Sequence, residues 1–240
     1  MDDAAFAKGS YFRQCTLCLM RSAEVESFLH PFSRKDLTIG IDAAHGCLRL
    51  AFKGEPPVVD GVMKALEERF STFFVGDSTL EEAIHLEMIS QKKTLALAES
   101  CTGGAIALRI VSVPGASQFF LGSIVAYANS WKERFLGVRR DTLDIKGAVS
   151  RDTVYEMIEG LFHESDADYA VAVSGRLGPF EETFNVQTGI IFIAVARRGE
   201  KIDIGQLSVG PDRKTGMELA VQTALGALWR RIAHNTLTFS

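Results

Sequence analysis

The stretch Leu95-Ala-Leu-Ala-Glu-Ser-Cys-Thr-Gly-Gly104 joins an apolar run to small hydroxylated residues and two glycines. Its first four residues form an apolar run of strand length, and Gly103 to Val111 has the apolar spacing of a helix. A buried strand that leads directly into a helix is the building unit of α/β domains. The stretch therefore predicts a strand at Leu95 to Ala98, a tight turn and a helix within an α/β fold.

Strands and helices continue to alternate after this stretch. The predicted strands are Ser123 to Tyr127, Tyr169 to Ser174, Gly189 to Ala196 and Ile202 to Val209. The predicted helices are Ser130 to Phe135, Arg151 to Glu164 and a long amphipathic one from Lys214 to Ile232. Helices that cover a mixed sheet predict a three-layer α/β/α domain, which we expect over residues 76–240.

Shorter elements precede this domain and predict a small α+β segment over residues 1–75. They are a helix at Ala23 to Leu29, strands at Leu37 to Ile41 and Leu48 to Phe52, a break at Pro56-Pro57 and a helix at Val59 to Phe70.

The composition excludes several classes of protein. A chain of 240 residues with 47% hydrophobic and 23% charged residues can bury a sizeable core without disulfides or a structural metal. The formal charge of −4 gives no overall attraction for nucleic acid or an anionic membrane surface. The cysteines and histidines lack metal-ligand spacing, including Cys15-x-x-Cys18, which has no second pair. We therefore expect no metal and no cofactor.

The apolar stretches and the first residues bear on where the protein is located. The longest apolar stretches, such as Ile190 to Ala196, have strand length, whereas a membrane helix needs about 18 residues or more. The first residues, Met1-Asp2-Asp3, are acidic where a secretory signal is basic. We expect a cytoplasmic protein without a membrane partner.

The turn after the first strand is a candidate anion site. Free N–H groups at a helix start point at a ligand, and Gly103 and Gly104 let the ligand approach the backbone. Ser100 and Thr102 add hydroxyl donors. The alternative is a helix N-cap and a tight turn with no ligand.

A second candidate segment, Tyr127-Ala-Asn-Ser-Trp-Lys132, ends the next predicted strand, where α/β proteins place ligand groups. Tyr127, Asn129 and Lys132 could converge there. A desolvated lysine beside a serine can act as its base, and a tyrosine hydroxyl can orient a substrate or relay a proton. In the alternative interpretation, Asn129 or Ser130 caps a helix and Lys132 is solvated.

Two further glycine-containing turns follow later in the chain. Val173-Ser-Gly-Arg-Leu-Gly-Pro179 ends a strand, and its G-x-x-G spacing differs in context from the helix-joining loop of KH domains. Gly210-Pro-Asp-Arg213 precedes the last predicted helix, where Arg213 could hold a phosphate in a bidentate manner. A solvent-exposed Arg213 with no ligand is the alternative.

Taken in order, these segments resemble the CinA C-terminal domain family, the nicotinamide-nucleotide amidases that hydrolyse the amide of nicotinamide mononucleotide. The matching residues are Ala98-Glu-Ser-Cys-Thr-Gly-Gly104, Val125-x-Tyr-x-Asn-x-x-Lys132, Gly147-Ala-Val-Ser150, Val173-Ser-Gly175, Gly178-Pro179 and Gly189. The resemblance covers about residues 90–235. The preceding residues resemble the small KH-like linking segment of CinA proteins, and the molybdopterin-binding-like domain that comes first there has no counterpart in this sequence.

The resemblance implies a function and a set of site residues. Its catalytic positions correspond to Ser100, as nucleophile or as the group that orients water, together with Tyr127 and Lys132. The substrate-binding positions implied by the match are Thr102, Gly103, Gly104, Asn129, Ser174, Gly175 and Arg213. It also implies a homodimer or higher homo-oligomer that acts on a small nucleotide. No nucleic-acid partner is implied, because the first segment contains no G-x-x-G.

The sequence departs from the family in the loop over residues 176–188, where Arg176-Leu177 and Phe180-Glu-Glu182 replace small residues and glycines. Near the last helix, Gly216 and Met217 stand where the family has a second arginine. These changes keep an alternative open: a catalytically altered nucleotide-binding or interaction protein on the same fold. RNA binding through the first segment is a third hypothesis, which the acidic charge balance disfavours.

Overall fold

The computed structural model describes residues 11–44, 46–178 and 189–239. The chain divides into two compact units, with the division between Leu80 and Glu81. Within the described residues no helix is both long and apolar enough to span a membrane.

The first unit is an antiparallel sheet of four strands in the order β2-β3-β1-β4. Its elements are β1 (Tyr11–Cys18), α1 (Ser22–Leu29), β2 (Leu37–Ala44), β3 (Cys47–Gly54), α2 (Pro56–Arg69) and β4 (Phe74–Gly76). Both helices contribute to one apolar core, which contains Leu17, Leu50, Phe52, Val25 and Leu66. The predicted α+β content of this part of the chain therefore matches its elements, while its likeness to the KH-like linking segment stays a prediction.

In the first unit the sequence pattern misses one strand and misplaces one helix start. Strand β1 is absent from the elements predicted from the sequence, because Arg13, Gln14 and Thr16 interrupt its apolar alternation. Pro56 and Pro57 do not break the chain before a helix but form the first turn of α2. The first turn of a helix has no intrahelical partners for its N–H groups, so proline is tolerated there.

The second unit contains a mixed five-stranded sheet in the order β6-β5-β7-β8-β9. Its strands are β5 (Leu95–Glu99), β6 (Phe120–Val125), β7 (Tyr169–Arg176), β8 (Ile190–Arg197) and β9 (Asp203–Ser208). Its helices are α3 (Leu80–Ser90), α4 (Ala105–Val111), α5 (Asn129–Leu136), α6 (Arg140–Ile145), α7 (Arg151–Glu164) and α8 (Arg213–His234). Strand β5 is parallel to both of its neighbours, β6 and β7, whereas β8 and β9 continue the sheet antiparallel.

One face of this sheet is lined by alanine. The alanines are Ala96, Ala98, Ala170, Ala172, Ala194 and Ala196, and they form one core with Val154, Met157, Ile158 and Leu161 of α7. Small side chains on a strand face let the helix pack close to the sheet. Successive strand residues point to opposite faces, so the larger residues between the alanines face the other layer, where α8 packs on β7 and β8. The predicted α/β fold class is confirmed.

Two predicted boundaries next to the candidate site need correction. Helix α4 begins at Ala105 rather than Gly103, because Gly103 and Gly104 have φ angles of +61° and +98° in the left-handed region. Strand β6 ends at Val125 and not at Tyr127. Beyond that end, the Ala126 N–H still donates to the Glu99 carbonyl at 2.8 Å.

Candidate active site

The three parallel strands end at one edge of the second sheet, where α/β proteins bind ligands. Ser100 follows β5, Tyr127 follows the end of β6, and Ser174 lies near the end of β7. The chain then turns into α5, which carries Lys132 as its fourth residue. The topology thus brings segments that are far apart in sequence to the same edge.

Ser100 and Lys132 form a buried pair at this edge. The Lys132 Nζ lies 3.0 Å from the Ser100 Oγ, and the two residues are 1% and 6% exposed. The Lys132 Nζ also donates to the Ala126 carbonyl at 2.8 Å and, less closely, to the Tyr127 carbonyl at 3.4 Å. Lys132 is therefore not the solvated helix residue of the alternative interpretation.

Burial changes the acid–base character of Lys132. Desolvation lowers its pKa below the ordinary value, because an ammonium ion loses its hydration inside the protein. The nearby Cys101 thiol acts in the opposite direction and is the smaller effect. A larger share of Lys132 is thus an uncharged amine near neutral pH, and an uncharged amine can accept a proton from the Ser100 hydroxyl.

Glu99 occupies the start of helix α4, where a ligand was expected. Its Oε2 accepts the Gly104 and Ile106 N–H groups at 3.0 and 3.1 Å, and its Oε1 accepts the Ala107 N–H at 3.0 Å. The sequence predicts that the N–H groups at this helix start are free for an anionic ligand. For the N–H groups of Gly104, Ile106 and Ala107 this prediction is wrong. The chain's own carboxylate satisfies them, as negative groups do at helix N-termini.

Thr102 lies in the turn between Ser100 and α4. Its side chain is 1% exposed, and its Oγ1 has no hydrogen-bond partner among the residues that the structure describes. Buried hydroxyls are nearly always paired. An unpaired one beside Ser100 is consistent with the substrate contact that the sequence predicts for Thr102, whereas the Gly104 N–H is already taken by Glu99.

Tyr127 and Arg213 contact each other. The Arg213 Nη2 donates to the Tyr127 hydroxyl at 3.1 Å, and its Nη1 donates to the Leu177 carbonyl at 3.4 Å. Arg213 is exposed and is the first residue of α8, while Tyr127 is 63% exposed. Both groups are thus accessible to a ligand, and the structure joins two residues that the sequence places in separate segments.

Ser174 and Gly175 occupy the end of β7 but play different parts. The Ser174 Oγ donates to the Ala148 carbonyl at 2.6 Å, so its hydroxyl is engaged within the protein. A Cβ on Gly175 would lie 2.8 Å from the Cys101 Sγ and 2.9 Å from the Ile191 Cγ1, which explains the glycine. Both residues therefore shape the neighbourhood of the turn at Cys101.

The remaining site predictions concern Asn129, metals and thiols. Asn129 is exposed at the first position of α5, near Lys132 along the chain.

Burial raises the pKa of the Cys101 thiol to about 12, so Cys101 stays protonated and is a poor nucleophile. Within residues 11–44, 46–178 and 189–239 no cluster of histidine, cysteine or carboxylate side chains could hold a metal ion. Most of the altered loop at 176–188, namely residues 179–188, lies outside the described part of the chain.

Sequence reasoning missed Glu99 and Ala126. A signal for Glu99 exists, because a lone acid ends an apolar strand and precedes a glycine turn. Its side chain is fully buried, and a buried carboxylate needs donors close by. Ala126 acts through its backbone carbonyl, and no side-chain pattern reveals that.

A serine hydroxyl held against a buried lysine amine at the carboxyl edge of parallel strands defines an α/β domain with a Ser–Lys site. The chain belongs to the CinA C-terminal domain family, whose model matches residues 77–232. The predicted resemblance to this family is thereby confirmed.

Two bacterial proteins are similar to half or more of the chain. A CinA-like protein of Leptospira borgpetersenii is 34% identical over 194 residues, which cover 80% of this chain and 46% of that protein. A CinA-like protein of Thermotoga maritima is 47% identical over 121 residues, or 50% of this chain and 30% of that protein. The chain spans less than half the length of these curated relatives.

Solved structures share the fold. The competence/damage inducible protein CihA from Agrobacterium tumefaciens superimposes with a TM-score of 0.60 at 34% identity, over 65% of this chain and 94% of that one. The competence damage-inducible protein A from Klebsiella pneumoniae gives a TM-score of 0.60 at 31% identity, over 66% of this chain and 100% of that one. The second unit thus has the fold of the CinA superfamily.

Proposed function

We propose that this chain hydrolyses the carboxamide of nicotinamide mononucleotide and releases nicotinic acid mononucleotide and ammonia. The observation that supports this most is the distance of 3.0 Å between the Ser100 Oγ and the buried Lys132 Nζ. Amide hydrolysis requires an activated oxygen nucleophile and a base that returns the proton to the leaving nitrogen. Membership of the CinA family supports the choice of substrate.

In the proposed reaction the Ser100 Oγ attacks the carbonyl carbon of the carboxamide. The uncharged Lys132 amine takes the hydroxyl proton, and the resulting ammonium returns it to the nitrogen as the C–N bond breaks. Ammonia leaves, and a water molecule then hydrolyses the ester on Ser100 with Lys132 again as the base. The proton that Lys132 takes from this water passes to the Ser100 Oγ as the ester bond breaks, which frees nicotinic acid mononucleotide and restores the Ser100 hydroxyl.

The other site residues would position the nucleotide. The exposed Arg213 guanidinium carries the charge that a phosphate requires, and it already bonds the Tyr127 hydroxyl at 3.1 Å. The buried Thr102 hydroxyl has a free hydrogen-bonding capacity among the described residues and would contact the substrate. The exposed Asn129, at the start of α5, would contact the nucleotide from the solvent side.

Ammonia release from nicotinamide mononucleotide tests this proposal. We expect release by the wild-type chain and a loss of at least about 10³-fold in Ser100→Ala. Ser112→Ala is a matched control, because the Ser112 hydroxyl is exposed and donates to the Arg109 carbonyl of α4 at 2.7 Å. Calorimetric binding of the nucleotide without ammonia release by a folded wild type would contradict hydrolysis and favour a nucleotide-binding protein.

A further inference from the structure

The Glu99 side chain accepts four hydrogen bonds in the interior of the second unit. Besides the three backbone N–H groups of the turn and α4, the Ser123 Oγ of β6 donates to its Oε1 at 3.1 Å. A carboxylate offers acceptor sites only, and four donors match its capacity. Glu99 is 0% exposed, so these four donors take the place of the water that would otherwise solvate its carboxylate.

These bonds close the turn that carries Ser100. Glu99 ends β5, and the Gly104 N–H returns to its side chain, so the four residues between them form a closed loop. The loop is fixed further by the Ser100 N–H, which donates to the Val173 carbonyl at 3.0 Å, and by the Gly103 N–H, which donates to the Ser100 carbonyl at 3.1 Å. The position of the Ser100 Oγ therefore depends on where the Glu99 carboxylate holds the loop.

The backbone of Glu99 also connects to Lys132. The Glu99 carbonyl accepts the Ala126 N–H at 2.8 Å, and the Ala126 carbonyl accepts the Lys132 Nζ at 2.8 Å. The Lys132 Nζ in turn lies 3.0 Å from the Ser100 Oγ. Glu99 thus contacts the supports of both members of the pair.

We infer that Glu99 is a positioning residue that holds the Ser100 hydroxyl on the Lys132 amine. The inference rests on the proposed function only in naming the reaction, because the geometry of the pair is independent of the substrate. A displacement of about 1 Å at a reacting group can cost about 10²-fold in rate. Glutamine at position 99 would turn an NH₂ donor toward at least one of the N–H groups that now point at a carboxylate.

The labelling rate of Ser100 by a fluorophosphonate probe, followed by mass spectrometry, measures activation of the serine without a substrate. We expect Glu99→Gln to label about 10²-fold more slowly than the wild type at equal folded fraction. Ser123→Ala removes one of the four donors and leaves the backbone contacts. Its labelling rate should therefore lie between those of the wild type and Glu99→Gln. Turnover should show a lower kcat with KM changed by less than about threefold.

Asp168→Asn is the matched control. Asp168 precedes β7 at the opposite end of the same strands, and it accepts the Thr94 N–H at 2.9 Å and the Lys93 Nζ at 2.8 Å. We expect it to lower stability without slowing the labelling of Ser100. Wild-type labelling rates in both Glu99→Gln and Ser123→Ala, or equal slowing in Asp168→Asn, would overturn the inference. Rapid labelling of the wild type without ammonia release would contradict the proposed substrate alone.

Discussion

Lys132 combines full burial with a position against a nucleophile. It is 1% exposed, and its Nζ contacts one hydroxyl and the carbonyls of Ala126 and Tyr127. Burying a charged ammonium is costly, and the usual response is a shift toward the uncharged form. The lowered pKa that follows from its burial is what allows a lysine to act as a base near neutral pH.

The rate of ammonia release should depend on pH through Lys132. Because only the amine form accepts the Ser100 proton, kcat/KM should rise with pH through the pKa of Lys132, which burial places below the ordinary 10.5. Lys132→Arg keeps its proton at every accessible pH and should be inactive throughout. A pH–rate profile from 5 to 10 checks this; a flat profile, or an active Lys132→Arg, would refute the role of base.

Residues at strand ends were predictable to different degrees. That Ser100 and Tyr127 lie at the same edge follows from the rule that parallel strands end at one edge of a sheet, and Lys132 joins them from the first turn of α5. The four hydrogen bonds of the Glu99 carboxylate could not be predicted from the sequence, because their donors are three backbone amides and a serine from another strand. Such partners are fixed only when the turn and β6 are placed in three dimensions.

At the scale of elements, the end of β7 is packed tightly against the turn after β5. Gly175 faces the Cys101 Sγ and the Ile191 Cγ1 at distances that leave no room for a methyl group. Periodicity predicts that this strand is buried, but it does not show which backbone positions touch a neighbour. By contrast, the sequence alone shows that the alanines alternate with larger residues along each strand, and this alternation places them on one face of the sheet.

Gly175→Ala should lower the free energy of unfolding by about 1–3 kcal/mol through overpacking. Gly210→Ala is the matched control, since no atom of the described residues lies within 4 Å of its added Cβ. Urea unfolding of both variants measures the difference. Combining Gly175→Ala with Cys101→Ala should recover part of the loss, whereas equal stability of the two glycine variants would contradict the packing of this strand end.

At the scale of the whole molecule, the second unit contains a hydrophobic core built from its own residues. The alanine face of its sheet and the residues of α7 lie between Ala96 and Ile204 in sequence. Its last residues also take part, because the Asp203 carboxylate accepts the N–H groups of Thr238 and Phe239. The family model also matches this part of the chain, over residues 77–232.

A fragment of residues 77–240 should therefore fold cooperatively and keep the ammonia release of the full chain to within a few-fold. Truncation after residue 232 should destabilise it, because the contacts of Asp203 and of the Phe239 ring over Gly205 would be lost. Circular dichroism melts and the ammonia assay compare the two fragments. An unfolded 77–240 fragment would show that the unit does not fold independently.

The most direct measurement is ammonia release from nicotinamide mononucleotide by Ser100→Ala, Lys132→Met and the double variant, beside the wild type. Residues that act as one catalytic unit are strongly non-additive. We expect each single variant to lose at least about 10³-fold in kcat. The kcat of the double variant should be no lower than that of the less active single variant. Losses that multiply in the double variant, or unchanged release by either folded single variant, would contradict a Ser100–Lys132 pair that carries the hydrolysis.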